Sequence, residues 1–401
     1  MNATIASVPV TYAPPPGIAR YQRMGLIAGG LGLVASVIGL FVDRLQFFHS
    51  YLIAFMFVVS VPIGSLGLLM LQYVTGGAWG LVIRRILEAA TRVLPLMFIF
   101  FIPIAIGLKD IYSWSDPNLV KASASLTAKA PYLNIPFFYI RVVIYFAIWY
   151  LLASLLNKWS AEQDNQTNPL WTNKLIRLSG PGLLLFVATV TFASFDWMMS
   201  LDPEWYSTIY GLVVMVGQVI SAMTFVIIMI VLLMRVEPMR SVILRSHLRD
   251  LGKLLFAFVM LWAYFEFSQF LIIWAGNLPD EIPWYLSRTL GGWQTVGILL
   301  IVAHFALPFL LLLSREVKSK GRSLIWIAAL LLFMRLVDLY WNIEPAFHRS
   351  HFFVNWMDVA LPVALGGLSF AWFCWELQKR PLMPINDPEL AQALLPTDHF
   401  H

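Results

Sequence analysis

The chain has 401 residues, of which 59% are hydrophobic and only 12% charged, against about 25% charged in a soluble domain. Its net charge of +5 is small and dispersed, which gives no footing for a nucleic-acid partner. The single cysteine, Cys374, excludes an internal disulfide and a self-contained iron–sulfur cluster, which needs about four cysteine ligands. Composition therefore predicts an all-α integral membrane protein.

Residues 1–23 read as a cytoplasmic N-terminal tail. They lack a basic start and an apolar core, so they do not read as a signal peptide, and they include Tyr12-Ala13-Pro14-Pro15-Pro16-Gly17. A ten-helix membrane domain follows over 24–376. Apolar runs of about 18 or more residues predict spans at 24–42, 50–72, 91–108, 137–157, 180–200, 206–234, 252–274, 293–313, 323–342 and 354–376. Pro62, Pro95, Pro103, Pro308 and Pro362 punctuate them and predict kinks. Gly25, Gly29, Gly30, Gly32, Gly39, Gly64 and Gly67 predict close helix contacts. Residues 377–401 read as a second, proline-bearing cytoplasmic tail.

Basic residues orient the chain. The two tails and the even-numbered loops, with span-end residues included, carry 19 of the 27 Lys and Arg. The odd-numbered loops carry six, and Arg141 and Arg335 lie within spans. Both termini are therefore expected in the cytoplasm. The outer loop Lys109–Pro136 is expected to fold as a surface helix. Trp114, Trp205, Trp274, Trp284, Trp293, Trp341 and Trp356 are expected as interfacial anchors. The segment Arg235–Lys253 reads as a basic amphipathic stretch against anionic lipid, or as a docking face for a cytoplasmic partner.

Ionisable side chains within spans are costly and mark functional sites by default. Asp196 ends the fifth span, and Glu266 lies just past the middle of the seventh. His304 is near the midplane of the eighth. Arg335 and Asp338 share a face of the ninth at i, i+3 spacing. Asp358 lies one turn into the tenth, and Arg141 opens the fourth. These groups concentrate in the outer half, which points to a hydrated pocket or a proton half-path opening outward. Asp196, Glu266, His304, Arg335, Asp338 and Asp358 are the candidates for proton transfer. Trp197, Trp262, Tyr264 and Gln269 are the candidate ring and hydrogen-bonding contacts for a quinone. For each ionisable group, ion pairing or interfacial capping is the competing structural reading.

There is no Walker A loop, no glycine fingerprint for a dinucleotide, and no pair of span histidines to hold a haem. Glu344, His348 and His351 have i, i+4, i+7 spacing, but Pro345 interrupts the helix that a metal site there would need. We assign no metal site. If the chain takes part in electron transfer, metal cofactors must come from partners and a diffusible quinone must be the substrate.

Two stretches carry a family resemblance: FDWMMSLDPEWYSTIYG at 195–211, and WAYFEFSQFLIIW at 262–274 followed by GNLPDE at 276–281. They resemble the large membrane subunits of bacterial alternative complex III, in the NrfD/PsrC-like polytopic family. The resemblance covers nearly all ten spans, and the length and short tails are most similar to the ActF-like branch. It implies two four-helix bundles plus flanking helices in the bacterial inner (cytoplasmic) membrane. It also implies partners: an ActC-like paralogous membrane subunit, an iron–sulfur subunit and multihaem cytochrome c subunits. Such complexes oxidise menaquinol or ubiquinol and pass electrons to a periplasmic acceptor. The quinol pocket belongs most clearly to the ActC-like paralogue. No cofactor is expected to be bound covalently here.

Three function classes follow. The chain is a membrane subunit of a quinol:cytochrome c oxidoreductase, supplying a quinone-associated pocket, a proton path or both. Alternatively it is a redox-inert proton-conducting or scaffold subunit. A secondary transporter is the third, although no inverted repeat and no matched pair of broken helices is visible.

Overall fold

The computed structural model describes residues 12–166 and 168–394. The outer parts of both predicted tails, 1–11 and 395–401, lie outside the described residues. Backbone groups in lipid must be satisfied within their own segment, which leaves helices as the local solution. The described residues accordingly form helices and no strand. Nine are long and apolar enough to cross a membrane, and a tenth crossing is made by two shorter helices bent by 40°.

In chain order the helices are α1 (Gly17–Val42), α2 (Arg44–Thr75), α3 (Ala78–Thr91) and α4 (Leu94–Ile106), then α5 (Ile135–Asn165) and α6 (Pro169–Trp197). They continue with α7 (Tyr210–Leu233), α8 (Arg245–Gly276), α9 (Trp293–Leu313), α10 (Gly321–Ile343) and α11 (Met357–Leu377). Helices α2, α4, α5 and α6 pack as one bundle, and α7, α8, α9 and α10 as a second. Helix α7 joins the bundles through α2, while α1 and α11 pair with each other and lean on α2. Ten crossings bring both chain ends to one side, where the backbone N–H of Leu382 donates to the Tyr12 carbonyl at 2.8 Å.

Local chemistry sets the breaks. Asp43, Asn134 and Asn168 cap α2, α5 and α6 by accepting from backbone N–H groups at 3.1, 3.0 and 2.9 Å. Pro95 has no N–H to give the Thr91 carbonyl, so the third crossing bends between α3 and α4. The span expected at 91–108 is thus the outer arm of a longer, broken crossing. Helix α9 widens into a π turn over Leu300–Ala306 just before Pro308, a local adjustment that re-satisfies backbone groups a proline frees. The outer loop folds into short helices over Pro117–Ala122 and Ala124–Lys129, as expected. Arg245, Arg249 and Lys253 belong to the first turns of α8 rather than to a loop.

Most of these glycines act as the sequence suggests; Gly30 does not, because it faces away from α11. A Cβ on Gly32 would lie 2.6 Å from the Ala364 nitrogen, and one on Gly29 2.7 Å from that of Leu368. On Gly64 it would lie 2.1 Å from the Gln218 carbonyl oxygen. Backbone cannot yield as a side-chain tip can, so these contacts set the α1–α11 and α2–α7 spacing. Gly32→Val should lower stability by about 1–3 kcal/mol through overpacking, read as thermal unfolding in detergent. Gly30→Val, at a position with nothing within 4 Å, should be neutral. An equal loss at both positions would contradict the close packing.

Candidate functional site

The ionisable residues predicted from sequence fall into three groups rather than one outward pocket. The first is at the outer end of the first bundle. Asp196 is fully buried and accepts from Arg141 Nε and Nη2, both at 2.8 Å, and from the Tyr145 hydroxyl at 2.8 Å. Arg141 also donates to the Tyr132 carbonyl at 2.7 Å, with its guanidinium 3.9 Å from that ring. Burial pushes the Tyr132 phenol, outside the spans, up to about 12. Every oxygen of Asp196 is thus engaged, which suits a locked pair better than a proton carrier. Trp197 lies beneath it, walled by Phe55, Phe101, Tyr145, Phe146 and Trp149.

The second group sits inside the second bundle. Trp262, Glu266 and Gln269 recur at i, i+4, i+7 on α8, which puts them on its inward face. The π turn carries His304 inward, where it is fully buried with its ring 4.1 Å from that of Trp262. Neither His304 nitrogen has a partner, and Glu266 Oε1 is likewise buried and unpartnered. Glu266 lies within electrostatic reach of Asp338 and Arg335 of α10 and of Arg288. Arg335 donates to Asp338, and Asn342 Nδ2 donates to the Asp338 backbone and side-chain oxygens at 2.9 and 3.3 Å. The Arg335 guanidinium lies over Gly217 of α7, where a Cβ would come within 2.0 Å of Nη2. Gln269 accepts from Ser207 at 3.0 Å and donates to the Tyr285 hydroxyl at 3.3 Å, tying α8 to the outer loops.

An aromatic plug covers this bundle on the outer side. Trp205 stacks on Trp284 with ring centroids 4.5 Å apart, and the Arg288 guanidinium lies 3.5 Å from the Trp284 ring. Arg288 donates to the carbonyls of Trp284, Trp341 and Asn342 at 2.7, 3.2 and 2.6 Å. Burial pulls its guanidinium down to about 9, which leaves it a cation at neutral pH. Here the expectation of interfacial anchors needs correction. Trp114, Trp205, Trp284 and Trp293 are buried beneath the outer loops, while Trp274 and Trp356 are exposed.

The third group is at the outer ends of α2, α10 and α11. Asp358 accepts from Ser50 at 2.5 Å and from the Asn355 backbone N–H at 2.7 Å. Glu344 is fully buried and hydrogen-bonds His348 Nδ1 at 2.7 Å, with its second oxygen unpartnered. Burial and the neighbouring His351 lower the His348 pKa. His49 stacks on Phe347 at 3.6 Å. His351 turns to Ser350 instead of joining Glu344 and His348.

The quinone contacts predicted from sequence do not converge. Trp197 belongs to the first bundle, Trp262 and Gln269 to the second, and Tyr264 is 62% exposed on the opposite face of α8. Two residues on from Trp262 is about 200° around a helix, which explains the miss.

Sequence reasoning also missed an inner cluster, where it expected few ionisable groups. Arg84 reaches Glu88 at 3.2 Å, Gln163 at 2.7 Å and Asp387 at 2.6 Å. Arg85 reaches Glu88 at 2.6 Å and also pairs with Asp164. Asp387 lies in the C-terminal segment, which folds back on α3 instead of trailing loose. The available signal was the pattern Arg84, Arg85, Glu88, whose i, i+3 and i, i+4 spacing fits a helix better than a loop.

No protein-family model matches this sequence, and neither does any curated protein.

Asp196→Asn should destabilise the chain by about 3–5 kcal/mol, because it strands a buried guanidinium. The double variant Arg141→Gln with Asp196→Asn should lose less than the two single losses added together. Thermal unfolding of the four proteins tests this, and strict additivity would mean that the pair is not coupled.

Proposed function

We propose that the chain is a proton-transferring membrane subunit of a quinol:cytochrome c oxidoreductase, or of one serving another periplasmic acceptor, in the bacterial cytoplasmic membrane. The resemblance at 195–211 and 262–281 supports the complex. The observation that carries the proton role is that Glu266 and His304 keep unpartnered polar atoms inside the second bundle, within electrostatic reach of Arg335. A buried polar group left unpaired costs roughly 2–7 kcal/mol. A fold that keeps two such groups beside a permanent ion pair holds sites that can take a proton or a water. A carrier must release its proton, so a fixed partner on each lone pair would defeat it.

The residues order into a path. Glu266 and His304 are the inner stations. Asp338, set by Arg335 and Asn342, follows on α10. Glu344, six residues further on at the C-terminal cap of α10, lies about 9 Å toward the outer face and hands on to His348, which is part-exposed. Arg288 borders this route at the Asn342 carbonyl, where its fixed charge raises the barrier to other cations.

The residues do not fit a quinone in the same way. Trp197, Trp262, Tyr264 and Gln269 face different surroundings. The crevice between the bundles, bordered by Phe57, Phe225, Phe370 and Phe373, holds about 130 Å³, with Ser369 as the one polar side chain on its wall. Small-ligand sites run from about 300 Å³ upward. We therefore derive no quinone step at those side chains or in that crevice. Under the proposal, the ActC-like paralogue beside the iron–sulfur subunit oxidises menaquinol or ubiquinol, and the iron–sulfur and multihaem subunits carry the electrons. A scaffold role is the second reading, favoured by the closed Arg141–Asp196 pair.

The test is quinol-driven turnover and proton release from the intact complex in proteoliposomes. Glu266→Gln should reduce coupled proton release by about tenfold or more, whereas Tyr264→Phe on the lipid-facing side should leave it unchanged. Full proton release in Glu266→Gln would return the chain to the scaffold reading.

A further inference from the structure

We propose that the inner ends of α7 and α10 form a binding site for one anionic phospholipid of the cytoplasmic leaflet. Helix α7 ends at Leu233 and is followed by Arg235, while α10 begins at Gly321 and continues with Arg322. Between them lies a groove of about 660 Å³, walled by Ile228, Val231, Ile325 and Trp326, with both arginines among its lining. No Asp or Glu lines it. Gly321 closes its floor in ordinary contact, since a Cβ there would lie 3.4 Å from Met234 Sδ and from Val231 Cγ1.

The two arginines differ from the guanidiniums inside the fold. Arg84, Arg85, Arg141, Arg288 and Arg335 each donate to an acid or a carbonyl. Among the described residues, Arg235 and Arg322 have no such partner, and both are exposed. Two free guanidiniums at one mouth match the paired oxygens of a phosphate. Below them the groove is apolar and suits acyl chain. Trp326 is 71% exposed at the lining, at the depth where an indole meets the glycerol level. A cytoplasmic protein could meet the arginines but not the apolar wall between two spans. A basic pocket between spans on the cytoplasmic side is where anionic headgroups bind.

The position gives the lipid a structural consequence. Arg322 precedes Arg335 by 13 residues on α10, about 20 Å along the axis. A bound lipid would staple the inner ends of α7 and α10, the two helices that meet at Gly217 and Arg335.

The test compares the full-length protein, with whatever copurifies, with two variants. Arg235→Gln/Arg322→Gln removes the charge, and Ala329→Trp fills the apolar wall with both arginines intact. Bound lipid is measured by native mass spectrometry after mild extraction. Delipidated protein is then titrated with phosphatidylglycerol, phosphatidylcholine or glycerol 1-phosphate, and thermal unfolding is followed. We expect one retained phosphatidylglycerol on the wild type. Apparent affinity should fall about fivefold per arginine, so roughly 25-fold in the double variant, and should fall in Ala329→Trp as well. Glycerol 1-phosphate should give no shift. Equal retention by wild type and the arginine variant, or phosphatidylcholine bound as tightly, would overturn the site. A full shift with glycerol 1-phosphate would make it a free-phosphate site. The arginines are exposed, so their variant should keep its helicity and decides the matter if Ala329→Trp does not fold.

Discussion

Arg335 must be seated inside the second bundle, and it has only protein to seat it. Gly217 opens the space on α7, and Asp338 supplies the counter-charge one turn along α10. A larger residue at 217 would push the guanidinium off its acid, so helix spacing and charge pairing are a single constraint here. The same constraint recurs at Arg141 of α5 with Asp196 of α6, and at Arg85 of α3 with Asp164 of α5. In each case a buried cation fixes which helix faces meet. Breaking such a pair costs far more than the pair contributes over an apolar alternative, so these contacts specify the arrangement more than they stabilise it.

Glu266 and His304 are conspicuous against that background. Both have buried polar atoms without a hydrogen-bond partner, in contrast to the ion-paired Arg335, Arg141 and Arg84. They lie beside the Arg335–Asp338 pair, under an outer plug of Trp205, Trp284 and Arg288. The two ends of the molecule are closed by different means. Outside, aromatic rings and one captive guanidinium close the second bundle. Inside, the returning C-terminal segment ties α3 to the second bundle, with Asp387 on Arg84 of α3 and the Ala393 carbonyl on His247 of α8. A proton path fits this division, because the second bundle combines unpaired groups with a titratable exit at Glu344 and His348.

Much of this fold was legible in the sequence, and the reasons are local. Apolar run length located the spans, and Gly25, Gly29 and Gly32 marked the face that meets α11. The inner cluster was not legible, because Arg84 and Asp387 are 303 residues apart and no local pattern links them. Counting Arg84 and Arg85 as loop charges put both chain ends on one side, as the structure has them, while hiding α3. At the candidate site, the residue types were readable but their facing was not. Glu266, His304, Arg335 and Asp338 converge because a π turn and a glycine place them together. Tyr264 was grouped with Trp262 by proximity in sequence, although it faces away on the helix.

The central claim is that Glu266 changes its protonation state during turnover. Infrared difference spectroscopy of the intact complex, started by adding quinol, measures this directly. The account predicts a carboxyl C=O band that shifts in deuterated water and disappears in Glu266→Gln. A turnover spectrum with no carboxyl change, or one identical in Glu266→Gln, would contradict it.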